Sequence, residues 1–174
     1  KNPSKCFNFN FLEIKKKLKF AKKKKIPKII FSSTEWVYEN SIYKENNVHQ
    51  KLDFYSIKNF YASSKYLAEQ IIVNQNDIKY CILRFGIIYG RRLDKPSAVE
   101  AIVKRLKTNN KIEIGSKKTM RRFIHIDDIV NSIITSINFK NNCLADIQGS
   151  QKITLEKIVN LTSKILNKKI RIKE

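Results

Sequence analysis

The stretch NFYASSKYLAEQ, residues 59–70, places a phenol and an amine four positions apart, at Tyr61 and Lys65. On a helix that spacing brings the two side chains onto one face. A phenol with pKa near ~10 is a poor base at neutral pH, but an ammonium beside it stabilises the phenolate, and the pair can then move a proton. The pair carries little alone. With seven tyrosines and 36 Lys plus Arg in 174 residues, about one Tyr followed by Lys at this spacing arises by chance. The flanking stretches have to decide.

Three of them present polar groups where a fold could gather them. FSSTEWVY sets Ser32, Ser33 and Thr34 at the carboxyl end of an apolar run, the end at which ligands bind in open α/β sheets. LRFGIIYG repeats this arrangement after the next apolar run, and RRFIHIDD presents Arg121 and Arg122 just before a predicted helix start. Plainer readings stand beside these: a polar strand end, a packed aromatic, a solvated lysine and two surface arginines. His125 reads as structural, with no nucleophile beside it, and Asp127 and Asp128 read as helix-capping carboxylates.

The elements that would position these groups follow from periodicity. Phe7, Phe11, Ile14, Leu18 and Ala21 recur at helical spacing, with the lysines of 15–25 on the other face, so a helix is predicted over about 9–25. After Pro27, KIIFSS reads as a buried strand, then a polar loop over 35–53, then a helix over 57–75 with Phe60, Ser64, Leu67, Ala68 and Ile71 on one face. YCILRF is the next strand, ended by Gly86 and Gly90. A helix over 97–107, a short strand KIEIG, a helix after RRFIHIDD, a strand CLADIQ and a last helix from Thr154 to about Asn167 complete the order. Alternating strands and helices predict an α/β fold with a largely parallel sheet.

Charge and cysteine content bound the function classes. The net charge of +21 would point to nucleic acid or an acidic surface. Arginine, the better reader of phosphates, occurs only seven times, however, and the densest lysine run fits a solvated helix face. Nucleic acid is therefore not the expected partner. Cys6, Cys81 and Cys143 have no paired spacing, and with His49 and His125 they form no metal-ligand pattern, so no metal is expected. The cysteines fit a reducing cytoplasm. No apolar run approaches the ~18 residues of a membrane span.

The SST…VY run, Tyr61 and Lys65 after it, the LR…YG turn and the R-F-I-H-x-D-D stretch, in this order, resemble the extended short-chain dehydrogenase/reductase family. The likeness is to its NAD-dependent sugar-nucleotide epimerases and dehydratases in particular. That resemblance implies an incomplete, Rossmann-like doubly wound sheet over 1–95 and part of a smaller C-terminal substrate-binding region, interleaved with final Rossmann elements, over 96–174. It implies NAD or NADP as cofactor and a nucleotide sugar as substrate. Tyr61 would be the general acid/base, Lys65 would hold the nicotinamide ribose and lower the phenol's pKa, and Thr34 would hydrogen-bond the reacting oxygen. Ser32, Ser33, Phe85, Gly86 and Ile88 would line the cofactor, and Glu35 and Arg121 would meet substrate, Arg121 through its phosphate. The helices over 9–25 and 57–75 would pair into a homodimer.

Departures from the family pattern refine these expectations. None of the four glycines belongs to a closely spaced turn that cradles a pyrophosphate, so the chain is expected to be a fragment lacking the phosphate end of the cofactor site and inactive alone. Glu35 and Trp36 stand where the family's dehydratases carry an Asp-Glu acid and base. Trp36 cannot transfer a proton, which favours epimerisation or reduction over 4,6-dehydration. Ile87 replaces an asparagine that often touches substrate. The rival reading is a decayed dehydrogenase scaffold that binds nucleic acid or another polyanion through its lysines.

Overall fold

The computed structural model of the chain describes residues 2–38, 57–91 and 95–174. The first elements are α1 (Pro3–Phe7), a π-helical turn (Asn8–Leu12), α2 (Glu13–Lys23), β1 (Lys28–Thr34) and a 3-10 turn (Glu35–Tyr38). They are followed by α3 (Phe60–Val73), β2 (Lys79–Phe85), β3 (Ile87–Tyr89), α4 (Ala98–Thr108) and β4 (Lys111–Glu113). The last are β5 (Met120–His125), α5 (Ile126–Asn138), β6 (Cys143–Ile147), β7 (Lys152–Thr154), α6 (Leu155–Ile165) and β8 (Arg171–Lys173). The chain divides into two compact units, Lys1–Phe85 with Asn131–Ile147, and Gly86–Val130 with Gln148–Glu174. Of the predicted loop over 35–53, residues 39–53, His49 among them, lie outside the described residues.

In the first unit the sheet order is β1-β2-β6, and both pairs are parallel. The α/β class with a largely parallel sheet is thus the observed one. β1 is rich in β-branched and aromatic residues and buries Phe31 opposite Ile82 of β2. Phe31 and Ile82 join Leu18 and Ala21 of α2, Ala68 and Ile72 of α3, and Ile78 in one apolar core.

The predicted helix over 9–25 starts earlier and changes register within itself. Asn2 accepts a hydrogen bond from the Lys5 N–H at 3.2 Å, and Pro3 occupies a first-turn position where no donor is needed. The π-helical turn adds a residue, so the apolar stripe shifts: Leu18 and Ala21 are buried, whereas Phe7 stays exposed. α2 ends with Lys25 at φ 53°, and the Ile26 N–H donates to Ala21 O at 2.9 Å, a Schellman closure. The lysines of this helix are exposed apart from its two buried apolar positions, as an amphipathic surface helix requires.

α3 begins where Asn59 accepts a hydrogen bond from the Tyr61 N–H at 2.9 Å. Its buried residues are Ala62, Ser64, Ala68, Glu69 and Ile72, while Phe60 is 66% exposed. The buried face is rotated from the expected one, because Glu69 turns inward to meet Arg84.

In the second unit β5 pairs parallel with β3 and antiparallel with β7, and β4 pairs parallel with β8. Ile102 and Leu106 of α4, Ile112, Ile114, Phe123, and Ile158 and Val159 of α6 form its core. The predicted helix after RRFIHIDD is α5, but it follows β5 with no loop, so Arg121 and Arg122 lie within a strand and not in a helix-leading turn. The His125 ring assists the junction, its Nδ1 accepting from the Asp127 N–H at 3.3 Å. Gly149 is required here: a Cβ would sit 2.1 Å from the carbonyl oxygen of Phe123.

Candidate active site

Thr34 ends β1, and Tyr61 and Lys65 lie one turn apart on α3, all within the first unit. The structure brings the three together. The Thr34 hydroxyl bears on the Tyr61 phenol and favours its ionised form, and the Trp36 N–H donates to Thr34 Oγ1 at 3.3 Å, which fixes the hydroxyl at the start of the 3-10 turn. Lys65 Nζ donates to the Ser32 carbonyl at 2.9 Å and lies 4.8 Å from the centroid of the Phe31 ring and 6.0 Å from that of Tyr61.

Burial pushes the Tyr61 phenol above its ordinary pKa, the Cys6 thiol adds to this, and Thr34 opposes it. Burial pulls the Lys65 ammonium down, Glu69 opposes that, and Lys17 of α2 adds to it. Both side chains are thereby held closer to their uncharged forms than they would be in water. A phenol in this state gives up its proton readily only when further positive charge arrives.

Around this set lies a buried polar chain that sequence reasoning missed. Ser33 Oγ donates to Glu69 Oε1. Glu69, fully buried, receives Arg84 Nη2 at 2.5 Å and Nε at 3.1 Å, a bidentate pair. Arg84 Nη1 donates to the Tyr38 hydroxyl at 2.6 Å, and that hydroxyl donates to Asp146 at 2.9 Å. Strand register makes this possible, since Ser33 stands opposite Arg84, and Arg84 opposite Asp146. Burial alone would lower Arg84, but Glu69 and Tyr38 more than offset it and hold the guanidinium above its ordinary pKa. Burial holds the Tyr38 phenol and the Asp146 carboxyl above theirs. One signal was present in YCILRF: an arginine inside a buried strand demands a partner.

The remaining predicted residues are placed as follows. Ser32 is exposed at the strand end, with its carbonyl engaged by Lys65, and the Ser33 side chain points inward to Glu69. Glu35, half-buried, opens the 3-10 turn. Phe85 ends β2 opposite Thr34. Gly86, Ile88 and Arg121 belong to the second unit. A Cβ at Gly86 would lie 2.9 Å from the Gln148 Cβ and 3.0 Å from the Arg122 carbonyl, so packing alone favours glycine there. Arg121 is exposed, and its Nη1 donates to the Met120 carbonyl at 2.9 Å. Among the described residues no three His, Cys, Asp or Glu side chains converge as a metal site, and no helix is long and apolar enough to cross a membrane.

Comparison with known proteins gives this geometry a family. A putative UDP-glucose 4-epimerase of Methanocaldococcus jannaschii is 29% identical over 133 residues, which cover 71% of this chain and 42% of that protein. The fold matches the UDP-N-acetylglucosamine 4-epimerase of Methanobrevibacter ruminantium M1, solved with UDP-N-acetylmuramic acid, at TM-score 0.86 and 20% identity over 95% of this chain and 55% of that one. It matches the ADP-L-glycero-D-manno-heptose-6-epimerase of Helicobacter pylori at TM-score 0.82 and 22% identity over 99% and 56%. The chain thus spans about half the length of the relatives it matches. Residues 1–145 match the family pattern directly. With Thr34, Tyr61 and Lys65 gathered at the end of a parallel sheet, the chain belongs to the NAD dependent epimerase/dehydratase family.

Proposed function

We propose that this chain carries the proton-transfer centre of an enzyme that uses NAD or NADP to oxidise a nucleotide sugar transiently at a hydroxyl, with epimerisation or reduction as the outcome. The meeting of Thr34, at the carboxyl end of β1, with Tyr61 and Lys65, one turn apart on α3, carries the reading. The cofactor, when bound, supplies hydride transfer and the positive charge of its oxidised ring.

The chain's residues fit the nicotinamide-ribose end of such a cofactor by their donor set. Lys65 keeps N–H donors beyond the one given to the Ser32 carbonyl, and ligands of α/β sheets collect at this strand end. Thr34 would orient the sugar hydroxyl, and Tyr61 would take its proton and later return it, with Lys65 stabilising the phenolate between the two events. Because burial holds Tyr61 in its neutral form, proton uptake awaits an added positive charge, which couples it to the oxidised state. Ser32, Phe85, Gly86 and Ile88 would line the cofactor, and Glu35 and Arg121 would meet the substrate. Trp36, unable to transfer a proton, disfavours 4,6-dehydration.

The same reading includes a homodimer formed through the helices near 9–25 and 57–75, which hold the π-helical turn, α2 and α3. Exposed Phe9, Phe20 and Phe60, at 71%, 57% and 66%, support it, since apolar area of this kind favours a partner. The setting is the cytoplasm, consistent with three cysteines that form no disulfide.

The test is turnover of UDP-glucose, UDP-N-acetylglucosamine and related nucleotide sugars by the natural protein with NAD or NADP, and by its Tyr61→Phe variant. Phe keeps the ring and removes the proton, so turnover should fall about 10²- to 10⁴-fold while the fold persists. Undiminished turnover in the variant would remove Tyr61 from the chemistry, and no turnover of any nucleotide sugar by the natural protein would overturn the substrate class.

A further inference from the structure

Glu69 and Arg84 form an ion pair that is 0% and 4% exposed. Burying two charges costs several kcal/mol per ion before their attraction is counted, and an apolar pair of similar size often serves stability better. The pair's placement suggests another reason for keeping it. Glu69 lies one helical turn beyond Lys65 on α3, as Lys65 lies one turn beyond Tyr61. Its carboxylate also receives the hydroxyl of Ser33, which immediately precedes Thr34. One buried group therefore touches both the strand that carries Thr34 and the helix that carries Tyr61 and Lys65.

We propose that Glu69, held by Arg84, is a positioning residue for the proton-transfer set: it locks the end of β1 to α3 through Ser33 and sets a carboxylate one helical turn from Lys65. The inference deepens the function proposed above and rests on it for the roles of Tyr61 and Lys65. Ser33 is then a link between strand and helix, and its hydroxyl is committed to the protein interior.

Among the described residues, these charged and titratable groups face Lys65. Tyr61 and Glu69 flank it on α3, Lys17 approaches from α2, and β1 contributes the Phe31 ring and the Ser32 carbonyl. Among the described residues Glu69 is the negative member of this set, and it acts against both burial and Lys17. Arg84 meets Glu69 through Nε and Nη2 and directs Nη1 to Tyr38.

The experiment reads the Lys65 amine directly. The natural protein and its Glu69→Gln and Glu69→Asp variants are acylated with a small anhydride across a pH series, and modification of the Lys65 peptide is followed by mass spectrometry. Gln keeps the size and hydrogen-bonding capacity of Glu but loses its charge, so the Lys65 midpoint should fall by roughly half a pH unit or more. Asp should restore most of it. A folded Glu69→Gln protein with an unchanged Lys65 midpoint would overturn the proposal.

If Glu69→Gln fails to fold, Ser33→Ala decides, since it leaves the ion pair in place and removes only the strand-to-helix link. Loosening Thr34 should raise the Tyr61 phenol further, seen by NMR of ring-labelled tyrosine with Tyr61→Phe assigning the signal. An unmoved Tyr61 titration would refute the positioning role. Neither readout uses cofactor or sugar. A protein that turned over no nucleotide sugar could still show both shifts, so failure here and failure of the functional reading are separate results.

Discussion

The two compact units bury their interiors differently. Of the seven buried polar or charged side chains among the described residues, six (Ser33, Thr34, Ser64, Glu69, Arg84 and Ser136) lie in the first unit. The seventh, Thr162 of α6, returns its hydroxyl to the Ile158 carbonyl at 2.8 Å and so satisfies itself within its own helix. The second unit is otherwise an apolar core of isoleucine, leucine, valine and phenylalanine. Apolar packing suffices to hold such a unit together. A linked set of buried charges is a costlier way to fill space, and its presence in the first unit marks where geometry has to be fixed residue by residue.

Mutations that strike each interior in its own manner would break the contrast most severely. Glu69→Ala leaves Arg84 buried without its counter-charge and should cost the first unit about 3–5 kcal/mol, read from denaturant unfolding followed by Trp36 fluorescence. Leu106→Ala opens a cavity at a fully buried α4 position. It should cost the second unit about 2–5 kcal/mol, with amide exchange protection lost around α4 and α6. Equal loss of protection in both units from either substitution would show that they do not differ as described.

A pH series sharpens the comparison at smaller cost. Burial raises both the Tyr38 and Tyr61 phenols. A group whose folded pKa lies above its unfolded value contributes stability below the unfolded pKa and loses it as pH rises through the folded one. Stability of the first unit should therefore decline above pH ~10. Lys65, lowered by burial, acts with the opposite sign: its penalty is present at lower pH and is relieved as pH rises toward its unfolded value. That relief is complete near the unfolded lysine value of ~10.4, so above it the change is the decline set by the two tyrosines. The urea midpoint reported by Trp36, the chain's one tryptophan, should drop between pH ~10.5 and ~12, and Tyr38→Phe should flatten that drop. A midpoint that rose over this range would reverse the assignment.

The smallest expected effect comes from helix caps, where the units are alike. Asn59 caps α3 and Thr154 caps α6 by accepting a backbone N–H, the latter from Lys157 at 3.0 Å. Replacing either with Ala should cost about 1 kcal/mol in its own unit, measured by the same unfolding and exchange experiments. A much larger loss at Asn59 would indicate that the cap also holds Tyr61, the residue whose N–H it receives.

Much of the fold was legible because its signals are local. β1 and β2 read correctly from short runs of β-branched and aromatic residues, and α4 and α6 from apolar spacing with Ser97 and Thr154 at their starts. β3, β7 and β8 were not anticipated: each has three residues, too few for a period to show, and each exists by pairing with a distant or neighbouring strand. β5 was hidden because Arg121 and Arg122 break its apolar pattern. Tyr61 and Lys65 were legible as a pair since one helical turn relates them. Glu69 was not, because a glutamate on a helix in a lysine-rich chain reads as solvated, and only the strand register that brings Ser33 and Arg84 to it gives it a buried role.

The π-helical turn Asn8–Leu12 acts as a rotary joint. An α-helix turns about 100° per residue, so removing one residue there would chiefly rotate α1 about the helix axis and only slightly shorten it. The Cys6 thiol, one of the groups that holds the Tyr61 phenol up, would swing away, and the Asn10 amide would leave the Ser64 hydroxyl it now meets at 3.0 Å. A single deletion some fifty positions away in the chain is thus a dial on the phenol's acidity that replaces none of Thr34, Tyr61 and Lys65.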